Sequence, residues 1–447
     1  MRQLALHSGE CSSTAVSCCD CYQTVGIAEG EAEKMSGFGT AGIAWSELPK
    51  DVQHKVLMNL GIQDLCRMRC VCREWRDVIH RRDFRGMYDV ANSSQEPHPV
   101  ICYLESSYPL RLQCTAYDYE GRMWKKMNSF PSVPQRSLTA LNTCAHDEFG
   151  PLSNVGLYSV GGLLCLHHWS DHRRREYPRG VSSWTVWNPF RNRWKRLPLW
   201  YENSGQLIVG NSFVHAFVSD ERTKAYKILM AHEVAVYPNN SEASARKLAT
   251  KIYDSRTGMW TDGAEHTLGV ELIYSTSSVR GVLCNGLVYF VAETRDFLNI
   301  GPTRPSVVLA YDISEDEWIE QPLNSYFVLF EWDGHLMTVD VDNAVLGWEE
   351  DFLEWEPVSR MWKETGIKMP GKIGKVFLSD LGGFSIVASG NHLAVTGHTR
   401  NDEFRIAVYK RAENYWRLPP NGKFSDKLMS FLVNGLVLHT PSLDWRP

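Results

Sequence analysis

Apolar residues recur with a helical period between Trp45 and Phe84, then with a strand period from Ile101 to the end of the chain. In the first stretch Val52, Val56 and Leu60 fall four apart and so share one helix face. Pro49 suits the first helical position, where its missing N–H is not needed, and Gly61 supplies a stop. Leu65 and Met68, three apart, predict a second short helix. Val71, Trp75, Val78 and Ile79 predict a third, set among Arg67, Arg69, Arg73 and Arg76. Three helices in about 40 residues bury only a small core, and a unit of that size gains from a partner. The expected division is a disordered, Ser/Thr/Gly/Glu-rich leader over 1–43, a small all-α unit of three helices over 44–88, a linker over 89–100 and an all-β domain over 101–447.

The β stretch repeats. Six times an aromatic, in nearly every copy after a small or apolar residue and usually before a polar turn-former, precedes a Trp by six or seven places. The strong copies run from Ala116-Tyr117-Asp118 to Trp124, Val186-Trp187-Asn188 to Trp194, Ile252-Tyr253-Asp254 to Trp260, and Ala310-Tyr311-Asp312 to Trp318. Weaker copies pair Trp355 with Trp362 and Tyr409 with Trp416. Each predicts a hairpin whose return strand is opened by the Trp, as in the turn Arg256-Thr257-Gly258. A second set of turn signals precedes most copies: Gly161-Gly162, Gly210-Asn211, Asn285-Gly286, Asp333-Gly334, Gly390-Asn391 and Asn434-Gly435. Asn-Gly and Asp-Gly between apolar runs mark hairpins because both turn positions need positive φ. Two hairpins make four strands, and six such units make a six-bladed propeller. Asn434-Gly435 has too little chain after it to reach a repeat Trp, while the Tyr117–Trp124 hairpin lacks a turn signal before it. One blade is therefore expected to combine the C-terminal strands with those of 101–127.

Leu48-Pro49, Leu57, Leu60, Leu65, Arg67, Cys70-Val71-Cys72-Arg73, Trp75, Ile79 and Phe84 resemble the F-box in order and spacing. Substrate receptors of cullin–RING ubiquitin ligases use that motif to grip a Skp-type adaptor. One departure is Leu60-Gly61-Ile62, where many F-boxes carry Leu-Pro. The resemblance implies an adaptor contact through Leu48, Pro49, Val52, Leu57, Leu60, Leu65, Val71 and Trp75, with Arg73 at its rim. The Gly turns and aromatic–Trp hairpins resemble kelch repeats, and the run from Val186 to Trp194 looks like that of plant-type F-box proteins with kelch-related C-terminal domains. What the resemblance implies is a non-catalytic substrate-recognition subunit of a Skp–cullin–F-box ligase, working in the cytoplasm or nucleus. Its propeller would hold an unknown target for ubiquitination and proteasomal degradation, with no cofactor. A kelch scaffold acting without ubiquitin transfer is the alternative, and a kelch-type copper oxidase a more distant one.

Composition changes this picture little. A net charge of −5 over 447 residues gives no global field favouring nucleic acid or an anionic membrane. No apolar run reaches the ~18 residues of a membrane span, and the first residues lack a secretory signal core. Cysteines inside core segments (Cys70, Cys165, Cys284) favour a reduced compartment, and the 16 tryptophans are partly explained because six occupy one repeat position.

Candidate chemistry is sparse. His167, His168 and His172 around Trp169 and Asp171 offer metal donors, but adjacent strand residues point to opposite faces. Cys18-Cys19-Asp20-Cys21, with Cys11, has no second pair to complete a zinc tetrahedron. Arg173, Arg174 and Arg175 with Arg179 form the most charged loop and can grip an acidic or phosphorylated segment. Trp200-Tyr201 and Trp332 read equally as exposed contact aromatics or as side chains buried between blades.

Overall fold

The computed structural model describes residues 45–92, 98–105, 111–118, 123–126, 155–170, 181–189, 191, 193–198, 207–220, 222–236, 245–268, 272–273, 279–294, 306–323, 328–339, 350–357, 359, 361–371, 373, 385–398, 404–418, 432–439 and 447. The leader, its cysteines and the loop 237–244 lie outside them. The chain divides into two compact units, Met1–Met87 and Tyr88–Pro447.

The first unit holds a 3-10 turn over Trp45–Glu47, then α1 (Lys50–Met58), α2 (Ile62–Met68) and α3 (Arg73–His80). A fourth helix, α4 (Arg82–Ala91), was not expected and runs across the division between the units. Two helix boundaries differ from expectation by a residue or more. Pro49 is the N-cap of α1 rather than its first residue, and Gly61 is the N-cap of α2 instead of closing α1, which ends on Met58 with Asn59 as its C-cap. Gly61 keeps a negative φ of −58°, so the position uses none of glycine's left-handed freedom.

The second unit is a β-propeller, with 27 strands in five sheets among the described residues. In chain order these begin with β1 (His98–Glu105), β2 (Arg111–Asp118), β3 (Met123–Lys126), β4 (Val155–Val160), β5 (Leu163–Ser170), β6 (Val181–Asn188) and β7 (Arg193–Arg196). Next come β8 (Leu207–Asp220), β9 (Ala225–Val236), β10 (Ala245–Asp254), β11 (Met259–Asp262), β12 (His266–Leu268), β13 (Leu272–Ile273), β14 (Val279–Arg280) and β15 (Val282–Cys284). Then follow β16 (Leu287–Thr294), β17 (Ser306–Asp312), β18 (Glu317–Leu323), β19 (Phe330–Trp332), β20 (His335–Thr338), β21 (Glu350–Glu356) and β22 (Met361–Met369). The last are β23 (Ser385–Ser389), β24 (His392–His398), β25 (Phe404–Lys410), β26 (Tyr415–Arg417) and β27 (Leu432–His439).

The aromatic–Trp signal is a direct cross-strand pair in every copy. Tyr117 faces Trp124, Trp187 faces Trp194, Tyr253 faces Trp260, Tyr311 faces Trp318, Trp355 faces Trp362, and Tyr409 faces Trp416. In the five pairs with measured ring geometry the centroids lie 5.1–5.4 Å apart, within the range in which aromatic pairs attract. Asn285-Gly286 and Asp333-Gly334 take positive φ at both positions, the type I′ geometry that matches strand twist.

The expected count of six blades is corrected to five sheets. The first sheet is eight-stranded, in the order β3-β2-β1-β27-β4-β5-β6-β7, and so contains two of the six hairpin units. The last strand causes this fusion. β27 pairs antiparallel with β1, which is the predicted closure of the chain's two ends, and also meets β4 in one parallel pair, Asn434 with Gly156. Asn434-Gly435 does not turn. Ile101 faces Leu436 and Tyr103 faces Leu432, so the dipeptide sits in a bulge within a continuous strand. Gly210-Asn211 behaves likewise, lying in β8 where the register shifts between Ile208 and Phe213. In both places a long partner strand keeps the chain extended through a locally favoured turn.

Among the described residues, five apolar clusters sit between successive sheets around the ring. Trp184, Ile228 and Tyr253 join the first sheet to the second, and Ala231, Phe290 and Tyr311 join the second to the third. Tyr289 and Leu336 link third to fourth, Trp332 and Tyr409 fourth to fifth, and Ile101 packs on Val387 and Val408 to close the circle. Trp332 takes the buried of its two readings, and Trp200-Tyr201 lie outside the described residues. Several repeat tryptophans add a polar staple to the preceding sheet. Trp260 Nε1 donates to Pro198 O (2.9 Å), Trp318 Nε1 to Thr250 Oγ1 (2.9 Å) and Ala264 O (3.2 Å), and Trp416 Nε1 to Lys368 O (2.9 Å). Cys165 and Cys284 are buried free thiols, as expected, whereas Cys70, expected in a core segment, is exposed; Cys114 is disulfide-bonded and stands opposite Cys102 in the β1–β2 register. No helix among the described residues is long and apolar enough to cross a membrane.

Candidate adaptor-docking face

The start of α1 is held by side chain as well as backbone. Val52 and Gln53 backbone N–H groups both donate to Pro49 O at 3.0 Å. Gln53 Nε2 also donates to Trp45 O and Leu48 O, both at 2.9 Å, which ties the preceding turn to the helix. Trp45 in turn meets Trp75 of α3, with ring centroids 4.6 Å apart. Cys72 caps α3 through its sulfur, which accepts from the Trp75 backbone N–H at 3.4 Å.

The nine residues implied in adaptor contact separate into three groups. Leu57 and Leu65 are fully buried and form the unit's own interior with Ile62, Val78, Ile79 and Phe84. Val52, Val71, Pro49 and Arg73 are exposed, while Leu48, Leu60 and Trp75 are half-buried. The stripe predicted on α1 is thus turned outward, with Val52 and Val56 open to solvent and Val71 61% exposed. A unit this small leaves apolar side chains uncovered on its surface, a pattern that marks interaction sites. Val56, which the sequence placed on the stripe but not in the contact set, belongs with the exposed group.

In the propeller, Arg173, Arg174, Arg175 and Arg179 lie outside the described residues, as do Asp171 and His172. His167 is buried and stacked on Trp184 at 4.1 Å, with the His215 ring 4.0 Å away. His215 was not singled out in the sequence, since no local pattern relates β8 to β5. Burial drives its pKa down to about 3, and His232 falls to about 4 through burial and the Lys251 charge. Among the described residues no group of three His, Cys, Asp or Glu is placed to hold a metal.

Residues 45–85 match the F-box domain, and residues 163–341 match the F-box associated beta propeller domain. An F-box/kelch-repeat protein of Arabidopsis thaliana is 24% identical over 289 residues, covering 62% of this chain and 65% of that protein. A putative F-box protein of the same plant is 21% identical over 279 residues, covering 62% of this chain and 61% of the relative. The chain thus spans under two thirds of the length of either relative. Among solved structures, Trypanosoma rangeli sialidase aligns with 12% identity and a TM-score of 0.36, covering 57% of this chain and 46% of the sialidase. YjhT aligns with 11% identity and the same TM-score, covering 73% and 98%. Residues 45–85 are therefore an F-box domain, and residues 163–341 of the second unit an F-box associated β-propeller domain.

Proposed function

We propose that the protein is the substrate-recognition subunit of a Skp–cullin–F-box ubiquitin ligase. The F-box docks a Skp-type adaptor, and through it the cullin–RING core, while the propeller holds a target protein. The receptor breaks no bond itself. It raises the effective concentration of target lysines beside a charged ubiquitin-conjugating enzyme, and the tethered target is then ubiquitinated and degraded. This role assigns it to the cytoplasm or nucleus, where that machinery operates.

One observation carries the reading: the F-box exposes Val52, Val56 and Val71 around a small interior of its own. Such residues gain by burial against an apolar adaptor surface at about 25 cal/mol per Å2. The test is an adaptor pull-down with the paired substitutions Leu48→Ala and Pro49→Ala. Losing an interface anchor costs about 2 kcal/mol, or about 30-fold in affinity. Retention of adaptor at wild-type strength by the double variant would remove the reading.

A further inference from the structure

The six aromatic–Trp hairpins share a turn but not a charge pattern. The 188–196 stretch, Asn188-Pro189-Phe190-Arg191-Asn192-Arg193-Trp194-Lys195-Arg196, contains four cations and no acid. Each equivalent stretch (118–126, 254–262, 312–320, 356–364 and 410–418) contains at least one Asp or Glu. The difference begins at the residue after the aromatic. Asp254 Oδ1 accepts from the Arg256 backbone N–H (2.8 Å), and its carboxylate also grips the Arg256 guanidinium (2.6 Å to Nη2). Asn188 performs the backbone task alone, its Oδ1 accepting from the Arg191 N–H at 3.0 Å, and brings no charge. Elsewhere Lys363 pairs with Glu356 and Arg417 with Glu413. Among the described residues no acidic side chain pairs with Arg193, Lys195 or Arg196.

These residues border a groove of about 490 Å3, lined by Arg191, Arg193, Trp194, Lys195 and Pro447. Trp194 is 41% exposed, whereas the repeat tryptophans of the other five hairpins are half-buried. The groove runs beside β7, the edge strand of the eight-stranded sheet. Charged residues on an edge strand ordinarily guard it against strand addition; β3 and β26 also carry cations alone, β11 and β18 acids alone and β22 both signs, and none of these has a repeat Trp as exposed as Trp194. Here one sign and an open aromatic face coincide.

We infer that this groove binds an extended acidic segment of the target protein, with Asp or Glu at alternate positions. The inference rests on reading the propeller as the target-holding unit. The spacing selects the ligand. Arg193 and Lys195 are two apart on one strand, so they project to the same side about 7 Å apart. A row of carboxylates at i and i+2 of an extended peptide has the same repeat, whereas a single phosphate is matched by converging guanidinium groups. Trp194 offers an apolar face to the stems of the intervening residues.

The experiment is fluorescence anisotropy on the purified full chain with a labelled peptide of alternating Glu and Ser. A phosphoserine peptide and a single-stranded RNA of equal charge serve as competitors. Binding is expected to weaken with added salt, and about tenfold or more in the pair Arg193→Glu and Lys195→Glu, at unchanged melting temperature. Trp194→Ala is expected to weaken it less and to leave the salt dependence in place. Equal binding by the charge-reversed pair, preference for the RNA, or capture of the phosphopeptide but not the glutamate peptide would each overturn the inference. Adaptor pull-down of the same preparations separates the outcomes, since failure of the ligase reading removes adaptor binding and leaves the peptide titration intact.

Discussion

In the F-box unit Val52, Val56 and Val71 lie open to solvent, while in the propeller Trp184 and Trp332 are fully buried. The contrast follows from geometry. Three or four short helices enclose little volume, so burying Leu57, Leu65 and Phe84 uses most of the available interior. A ring of sheets gives each blade two neighbours, and its core is divided among five inter-sheet clusters. One unit leaves apolar side chains uncovered, while the other buries them between its own sheets.

Removing the closing strand tests the second half of that statement most severely. Deleting residues 430–447 takes β27 out of the middle of the eight-stranded sheet and separates β1 from β4. The whole propeller is expected to lose its cooperative thermal transition and aggregate through the exposed edges. A monomeric truncation with an unchanged melting temperature would break the idea that the ring is self-completing.

Leu57→Ala probes the interior of the helical unit. It is expected to destabilise that unit by about 2–5 kcal/mol through the cavity it leaves, while the propeller transition stays where it was. Two-step calorimetry on the full chain would detect this, and a matching shift of the β transition would contradict it.

Acid sharpens the comparison from the other side. His215 and His232 are held neutral in the fold, with pKa values of about 3 and about 4 against an ordinary 6.5. The unfolded chain therefore binds more protons below pH 6.5, and the propeller loses stability as pH falls towards those values. The loss is fully absent well above pH 6.5 and amounts to about 2 kcal/mol per histidine by pH 5. Denaturant unfolding at a series of pH values measures it, and His215→Gln should flatten the slope.

Smaller still is the effect of the polar staples. Trp318→Phe keeps an aromatic ring opposite Tyr311 but removes the donor to Thr250 and Ala264, for a cost of about 1 kcal/mol. At the bottom of the scale, Val52→Ser with Val56→Ser should change the F-box stability by less than about 0.5 kcal/mol. The same pair should weaken adaptor capture strongly, since these side chains serve the partner and not the unit.

The strands and their pairing were legible where the signal is local. Tyr253 and Trp260 sit in one hairpin, so a spacing of seven residues carries both the turn and the register. The F-box was legible for the same reason, its helices being short and its markers contiguous. Asn434-Gly435 misled because a dipeptide's preference is outweighed by two partner strands, one of them β1 at the far end of the domain. Val52 and Leu57, five residues apart on one helix, were both read as contact residues, because periodicity separates faces without saying which face is covered.

The sequence by itself determined the two-part organisation, the F-box markers, the six aromatic–Trp hairpins and the joining of the two ends of the β domain. All are encoded by residues near one another or by a repeat that can be counted. Only the tertiary structure decided that five sheets form the ring, that His167 meets Trp184 and His215, and that the basic hairpin borders a groove. Those outcomes depend on contacts between strands far apart in the chain, where many weak interactions settled together and no local pattern records the result.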